Sequence, residues 1–149
     1  MAETVDAGPG TRVFEVDCGR GDLLLPLQQN GYIVGGSDGD PAAIEQAIAS
    51  MPDGVFQVGM ASDLDPAIPW DVVICRSFSG APDVDYMRGL LARMFAKATH
   101  AIVVLGVPDE RRHWVLHALA EIGANAIQIE DAGDDSSTVP SRFNVFARV

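Results

Sequence analysis

The chain has 149 residues, with 21 acidic and 10 basic side chains and a formal net charge of −11. This length fits a single domain, and the acidic balance argues against nucleic-acid binding, which depends on clustered lysine and arginine. No apolar stretch reaches the roughly 20 residues of a membrane span, and the first residues carry no secretion signal. We therefore expect a cytoplasmic protein that binds neither nucleic acid nor a membrane.

The first elements in chain order form a strand–loop–helix–strand unit. Residues 1–11 are rich in glycine and alanine and predict a disordered lead-in to a domain that spans residues 12–149. A strand is expected at about 12–16, a helix begins near Asp22 after a short loop, and a second strand covers about 32–37.

The loop of this unit has the features of a nucleoside-binding site. Gly19 and Gly21 permit positive φ angles and a close approach of a ligand to the backbone, and the helix that follows presents free N–H groups to an anion. Asp38 comes about 20 residues later, where a carboxylate can accept hydrogen bonds from both hydroxyls of a ribose. Leu24 stands where the dinucleotide-binding pattern requires a third glycine.

The remaining elements continue the alternation of helices and strands. The sequence predicts a helix at 42–50, strands at 55–58 and 71–75, a helix at 83–98, a strand at 100–105, a helix at 108–122, and closing strands at 126–130 and 142–149. Alternation implies a parallel sheet covered on both faces, by about five helices in all. The two closing strands, joined by the loop 131–141, predict an antiparallel pair.

The segment 15–21, which reads EVDCGRG, resembles motif I of the class I S-adenosylmethionine-dependent methyltransferases, usually written E/D-x-G-x-G-x-G. Asp38 matches the ribose-binding acid of that family. The resemblance covers about residues 12–149 and suggests a small member with a minimal core and a degenerate motif I. It implies an α/β, Rossmann-like methyltransferase fold: a seven-stranded, mostly parallel sheet in the order 3-2-1-4-5-7-6, with a C-terminal antiparallel pair and helices on both faces.

The same resemblance implies S-adenosylmethionine as the cofactor. The residues that it places around the cofactor are Glu15, Asp17, Cys18, Gly19, Gly21, Asp38, Gly39, Met60, Ala61 and Arg76. Residues 59–64, GMASDL, are similar to the family's G-D-A-x-x-L segment, whose acid bonds the adenine amino group. Met60 replaces that acid, so we expect its side chain to pack on the adenine face without accepting the hydrogen bond.

Asp17 is the main departure from the family, because it occupies the place of the first glycine of motif I. A side chain there crowds the turn, and its charge lies near where the family places the carboxylate of the cofactor's methionine part. Asp17 has three ways to avoid that clash: to turn outward and cap the following helix, to pair with Arg20 or Arg76, or to contact the ligand's ammonium group. We expect weak cofactor binding that improves when Asp17 is replaced by glycine.

Two residues are candidates for a catalytic role. Arg76 follows the strand 71–75, which resembles the family's motif IV, and a guanidinium there would hold an anionic substrate; the alternative is a surface ion pair. His113 lies in the first turns of a helix at the same edge of the sheet, where an imidazole would act as a general base; the alternative is a solvated helix histidine. Ser77 and Phe78 fall where the family often places substrate-facing residues.

Cys18 and Cys75 are too few to indicate a disulfide framework or a zinc site, and no metal is predicted. Both cysteines fall at the carboxyl ends of strands that are expected to be neighbours. A reactive thiol pair and buried apolar filling of the core are the two interpretations, and the second is favoured.

The leading hypothesis is an S-adenosylmethionine-dependent methyltransferase that acts on a small molecule, of the kind made in secondary metabolism. The N-P-P-Y-type sequence of amino-group methylation on nucleic acid or protein is absent at 75–78. One alternative is a repurposed fold that catalyses a step other than methyl transfer, such as a cyclisation, and another is a non-catalytic partner subunit. Because the helical N-terminal cover of many relatives is missing, we expect the chain to form a homodimer.

Overall fold

The chain folds around one seven-stranded sheet in a computed structural model that describes residues 7–60, 63, 67–76, 83–131 and 142–149. The strands are β1 Arg12–Val16, β2 Ile33–Asp38, β3 Val55–Val58, β4 Trp70–Arg76, β5 Ala98–Pro108, β6 Ile127–Asp131 and β7 Arg142–Arg148. Their order is β3-β2-β1-β4-β5-β7-β6, which confirms the order expected from the sequence. Strands β1 to β5 are parallel, and β7 runs antiparallel to both β5 and β6.

Helices cover both faces of this sheet, as predicted. The described helices are α1 Leu24–Gln29, α2 Pro41–Ser50, α3 Val84–Lys97 and α4 Asp109–Glu121. Side chains alternate along each parallel strand, so Val13 faces one core with α1 and α2, whereas Phe14 faces the other with α3 and α4. The sequence predicted about five helices; part of the segment between β3 and β4 lies outside the described residues.

The first helix is shorter than predicted. It begins at Leu24 rather than near Asp22, it has six residues, and Leu23 at its N-cap position provides no side-chain hydrogen bond. The N–H groups of Leu24 and Leu25 both donate to the carbonyl of Gly21. These are the first bonds of the helix itself, so the expectation that its N-terminus offers free N–H groups to an anion stays a prediction.

Residues 7–11, which the composition assigned to a disordered lead-in, form a hydrogen-bonded turn instead. The N–H of Gly10 donates to the carbonyl of Gly31 at 2.8 Å, and the N–H of Ile33 donates to the carbonyl of Thr11 at 3.0 Å. These bonds tie the turn to the start of β2. Residues 1–6 of the predicted lead-in lie outside the described residues.

The amino end of the sheet is held by an aromatic pair and a buried lysine. The rings of Phe14 and Trp70 have centroids 5.4 Å apart. Lys97 Nζ lies 4.9 Å from the Phe14 ring centroid and donates to the carbonyl of Ile68 at 2.8 Å, so the ammonium group keeps polar and π contacts inside the protein. None of the helices in the described ranges is long and apolar enough to cross a membrane.

Candidate functional site

The carboxyl ends of β1, β2 and β4 bring the predicted site residues to one edge of the sheet. Val16 at the end of β1 pairs with Ser37 on one side and with Cys75 on the other. The segments that follow these strands therefore start side by side, in the crevice where open α/β sheets bind ligands.

Asp38 is fixed to the glycine loop by a backbone hydrogen bond. The N–H of Gly19 donates to Asp38 Oδ2 at 2.8 Å, and the N–H of Asp40 donates to Asp38 Oδ1 at 2.9 Å. Each carboxylate oxygen can accept a further hydrogen bond. The two bonds thus hold the acid in one orientation and leave it able to accept from a pair of ligand hydroxyls.

Glu15 and Arg76 form an ion pair at the base of the same crevice. Arg76 Nε donates to Glu15 Oε1 at 2.9 Å. Glu15 is fully buried, and its Oε2 atom is a buried acceptor without a hydrogen-bond partner in the described part of the chain. Burial raises the pKa of Glu15 to about 7, although the charge and the hydrogen bond of Arg76 act in the opposite direction. The Arg76 side chain is 46% exposed, so its outer face is open to a ligand.

Asp17 occupies a backbone conformation that explains why the motif has glycine at this place. Its φ is 55°, and among the described residues it is the one non-glycine residue with positive φ. Aspartate tolerates this left-handed region better than most side chains. The substitution is therefore compatible with the turn.

The Asp17 carboxylate has none of the protein partners predicted for it. Arg20 pairs with Asp22 at 3.0 Å, Arg76 pairs with Glu15, and α1 has no side-chain cap. Helix capping and pairing with either arginine are thus wrong as accounts of Asp17. The third arrangement, contact with a ligand's cation, stays a prediction.

Tyr86 is a residue near the site that the sequence analysis missed. It lies in the first turn of α3, where the Asp83 side chain accepts a hydrogen bond from its N–H at 2.6 Å. Desolvation and then the negative charge of Asp17 raise the pKa of the Tyr86 phenol, so the phenol lies within electrostatic range of Asp17. The sequence feature that could have indicated Tyr86 is its position in the first turn of the helix that follows β4.

Met60 lies beside Gly39, the residue after Asp38, and its contact with an adenine stays a prediction. A Cβ added to Gly39 would come within 2.7 Å of Met60 Sδ, so the thioether lies over Gly39. The N–H of Gly59 donates to the carbonyl of Asp38 at 2.9 Å, and Met60 is 57% exposed. An exposed thioether at this point offers an apolar surface to a flat ring. Ala61 lies outside the described residues.

The two cysteines belong to opposite faces of the sheet. Cys18 packs in the core under α1 and α2, and Cys75 packs in the core under α3 and α4. Burial raises the pKa of each thiol to about 12, which disfavours the reactive thiolate. The interpretation as buried apolar filling is confirmed, and the redox pair is wrong.

The predicted catalytic histidine makes no hydrogen bond or ion pair with a crevice residue in the described part of the chain. His113 is exposed on α4, and its role as a general base stays a prediction. His100 lies at the amino end of the sheet, 3.7 Å from the Asp71 carboxylate, as expected for a residue outside the site. Ser77 and Phe78 lie outside the described residues.

No family model matches the chain. An uncharacterized methyltransferase from Synechocystis sp. (strain ATCC 27184 / PCC 6803 / Kazusa) is 34% identical over 62 residues, which amount to 42% of this chain. The matched part is only 29% of that protein's length.

Solved structures resemble the chain over almost its whole length. Magnesium protoporphyrin IX methyltransferase from Synechocystis PCC 6803, with bound S-adenosylmethionine, has a TM-score of 0.79 at 20% identity, over 95% of this chain and 71% of that one. A TehB-like S-adenosylmethionine-dependent methyltransferase from Corynebacterium glutamicum has a TM-score of 0.75 at 19% identity, over 99% and 85% of the two chains. These likenesses establish the fold and confirm the resemblance inferred from motif I at that level.

Proposed function

We propose that this chain, which has the Rossmann-like fold of the class I S-adenosylmethionine-dependent methyltransferases, binds S-adenosylmethionine and transfers its methyl group to a small molecule. The observation that carries the proposal is the hydrogen bond from the Gly19 N–H to Asp38 Oδ2. It joins the glycine loop to the acid at the carboxyl ends of two central strands. Magnesium protoporphyrin IX methyltransferase, a structural neighbour, was solved with the cofactor and also with its demethylated product.

The residues in the crevice fit the parts of this cofactor. Asp38 retains acceptor capacity for the ribose hydroxyls, and Met60 beside Gly39 offers an apolar surface to the adenine. Gly19 has a φ of 56°, and a Cβ there would meet nothing within 4 Å, so space is open above the loop. Asp17, which no arginine of the described residues neutralises, supplies negative charge for a ligand that carries cationic groups.

When bound, the cofactor supplies an electrophilic sulfonium methyl group. The chain's own residues then act mainly by binding and orienting the reactants, which is the larger part of catalysis for an in-line displacement. We assign Arg76, with its exposed outer face, to a substrate anion and His113 to removal of a proton from the acceptor. The charge of −11 favours a small molecule over a nucleic acid as the acceptor.

We predict that Asp38→Ala weakens S-adenosylmethionine binding by about 1–3 kcal/mol, because the ribose loses its charged acceptor. Titration calorimetry on the purified protein measures this change. Asp53→Ala is the matched control. Asp53 is exposed and precedes β3, so it lies at the amino ends of the parallel strands, away from the crevice at their carboxyl ends. Thermal melting of each variant checks that the loop still folds. Equal affinities for wild type and Asp38→Ala would remove Asp38 from the site.

Mass spectrometry of products separates methyl transfer from the other hypotheses. A candidate acceptor that gains one methyl group supports the proposed reaction. Acceptor conversion without a methyl gain would favour a repurposed fold that catalyses a step such as a cyclisation. Failure to bind the cofactor would favour a non-catalytic partner subunit.

We also propose that the chain forms a homodimer through the edge strand β3. Val55 and Val58 on this strand are 59% and 54% exposed, and Ile48 on the adjacent α2 is 48% exposed, so the edge presents apolar side chains beside backbone groups that no strand in the described ranges pairs. Light scattering should give about twice the 15.8 kDa mass of one chain. Val55→Lys should shift the particle to the monomer mass, whereas Val84→Lys, at an exposed position on α3, should not. A wild-type particle of monomer mass would contradict the proposal.

A further inference from the structure

The carboxylates at the carboxyl edge of the sheet are only partly neutralised by the protein. Arg76 balances Glu15 and Arg20 balances Asp22. Asp17 and Asp38 have no arginine or lysine partner in the described part of the chain. Asp38 accepts hydrogen bonds from backbone N–H groups, which carry no net charge. The carboxylates of Asp17 and Asp38 therefore both leave negative charge beside the glycine loop.

Two further observations indicate that a ligand supplies the missing positive charge. Glu15 is fully buried, and its Oε2 atom has no hydrogen-bond partner among the described residues; a buried acceptor without a partner is uncommon in folded proteins. Asp17 and Asp38 directly follow Val16 and Ser37, which are paired residues of neighbouring strands, and desolvation and then the Asp38 carboxylate raise the pKa of Asp17, so the two acids repel each other. A cation beside Asp17 and Asp38 would weaken the repulsion between them, and a donor group on the same ligand would satisfy Glu15 Oε2.

We infer that Asp17 is a specificity-determining residue that makes this site prefer S-adenosylmethionine over its demethylated product. The inference rests on the proposed function. The two ligands share the adenosine, the ammonium group and the carboxylate, and they differ in the positive sulfonium that methyl transfer removes. Negative charge without a protein partner attracts that sulfonium through space, and the attraction ends when the reaction removes the charge.

The ratio of the two affinities isolates this effect from the clash expected at motif I. Repulsion between Asp17 and the ligand's carboxylate acts on both ligands, as does attraction to the ammonium group. Both contributions change the two dissociation constants together and largely cancel in the ratio. The ratio of the two dissociation constants therefore reports the interaction of the site with the sulfonium. A site that binds S-adenosylmethionine more tightly than its demethylated product releases that product more readily.

Calorimetry with the full chain tests the inference, using S-adenosylmethionine and its demethylated product as the two ligands. Wild type should bind the charged ligand at least about fivefold more tightly, as expected for a charge pair at an intermediate effective dielectric. Asp17→Asn should lower that ratio at least about threefold. Asparagine tolerates the φ of 55° at this position, so the variant keeps the turn, and a melting curve confirms its folding.

Asp53→Asn is the control, because it removes one negative charge at the amino ends of the strands, away from the crevice. It should leave the ratio of the two dissociation constants unchanged. Added salt should reduce the wild-type preference, since an exposed carboxylate such as Asp17 is screened. If both ligands bind and the ratio is the same in wild type and Asp17→Asn, the inference is overturned while the proposed function stands. If neither ligand binds wild type, the proposed function fails and this inference fails with it.

Discussion

Replacing Glu15 with glutamine should remove a pH dependence of about 3 kcal/mol from the stability of this chain. Burial raises the pKa of Glu15 from 4.5 to about 7, so between these two values the folded chain holds a proton that the unfolded chain has released. The free energy of unfolding contributed by this group therefore falls as the pH rises from about 4.5 to 7. Above about pH 7 the buried carboxylate is charged, and the folded chain then bears the full cost of having removed that charge from water.

Glutamine keeps the acceptor for Arg76 Nε but cannot ionise. Relative to wild type, Glu15→Gln should therefore gain about 3 kcal/mol in its free energy of unfolding between pH 4.5 and 8. Urea unfolding at several pH values measures the difference. Glu45→Gln, on the exposed side of α2, is the control for loss of one carboxylate. Parallel pH curves for wild type and Glu15→Gln would contradict the pKa assigned to this residue.

Gly35→Ala should destabilise the fold by about 1–3 kcal/mol, because the position has no room for a side chain. A Cβ there would lie 2.5 Å from Trp70 Cη2 and 2.8 Å from the carbonyl oxygen of Val55. Neither neighbour can yield easily. Trp70 is buried against Phe14, and Val55 belongs to the strand paired with Gly35.

Gly89→Ala is the matched control for this overpacking. Gly89 lies on an exposed part of α3, and a Cβ there would meet nothing within 4 Å. Alanine is favoured over glycine inside a helix, so this variant should gain about 1 kcal/mol. Thermal or urea unfolding of both variants should therefore give shifts of opposite sign. A Gly35→Ala variant as stable as wild type would show that Trp70 can move aside.

The sheet and the place of the site could both be predicted from patterns in the sequence. Apolar runs with period 2 or 3.6 are local patterns, and their alternation restricts an α/β chain to few topologies. The parallel sheet and the antiparallel closing pair were predicted for that reason, whereas the strand order was implied by the resemblance to the methyltransferase family. The motif 15–21 and the acid Asp38 were found because glycine conformation and the strand–loop–helix spacing are also local. Element ends were less accurate, as α1 shows, because it begins at Leu24 rather than near Asp22, and local residue types place a helix end only to within about two residues.

The tertiary structure alone decided which charged groups meet at the site. The sequence left open a substrate anion, a pair with Asp17 or a surface ion pair for Arg76, and the structure pairs it with the buried Glu15 on the neighbouring strand, 61 positions away in sequence. Cys18 and Cys75 end on opposite faces although their strands are adjacent. Tyr86 lies in the first turn of α3, and desolvation and then the charge of Asp17 raise the pKa of its phenol. Side-chain direction at a strand end depends on the register of neighbouring strands and on the backbone angles of the turn, and residue spacing in the sequence does not contain this information.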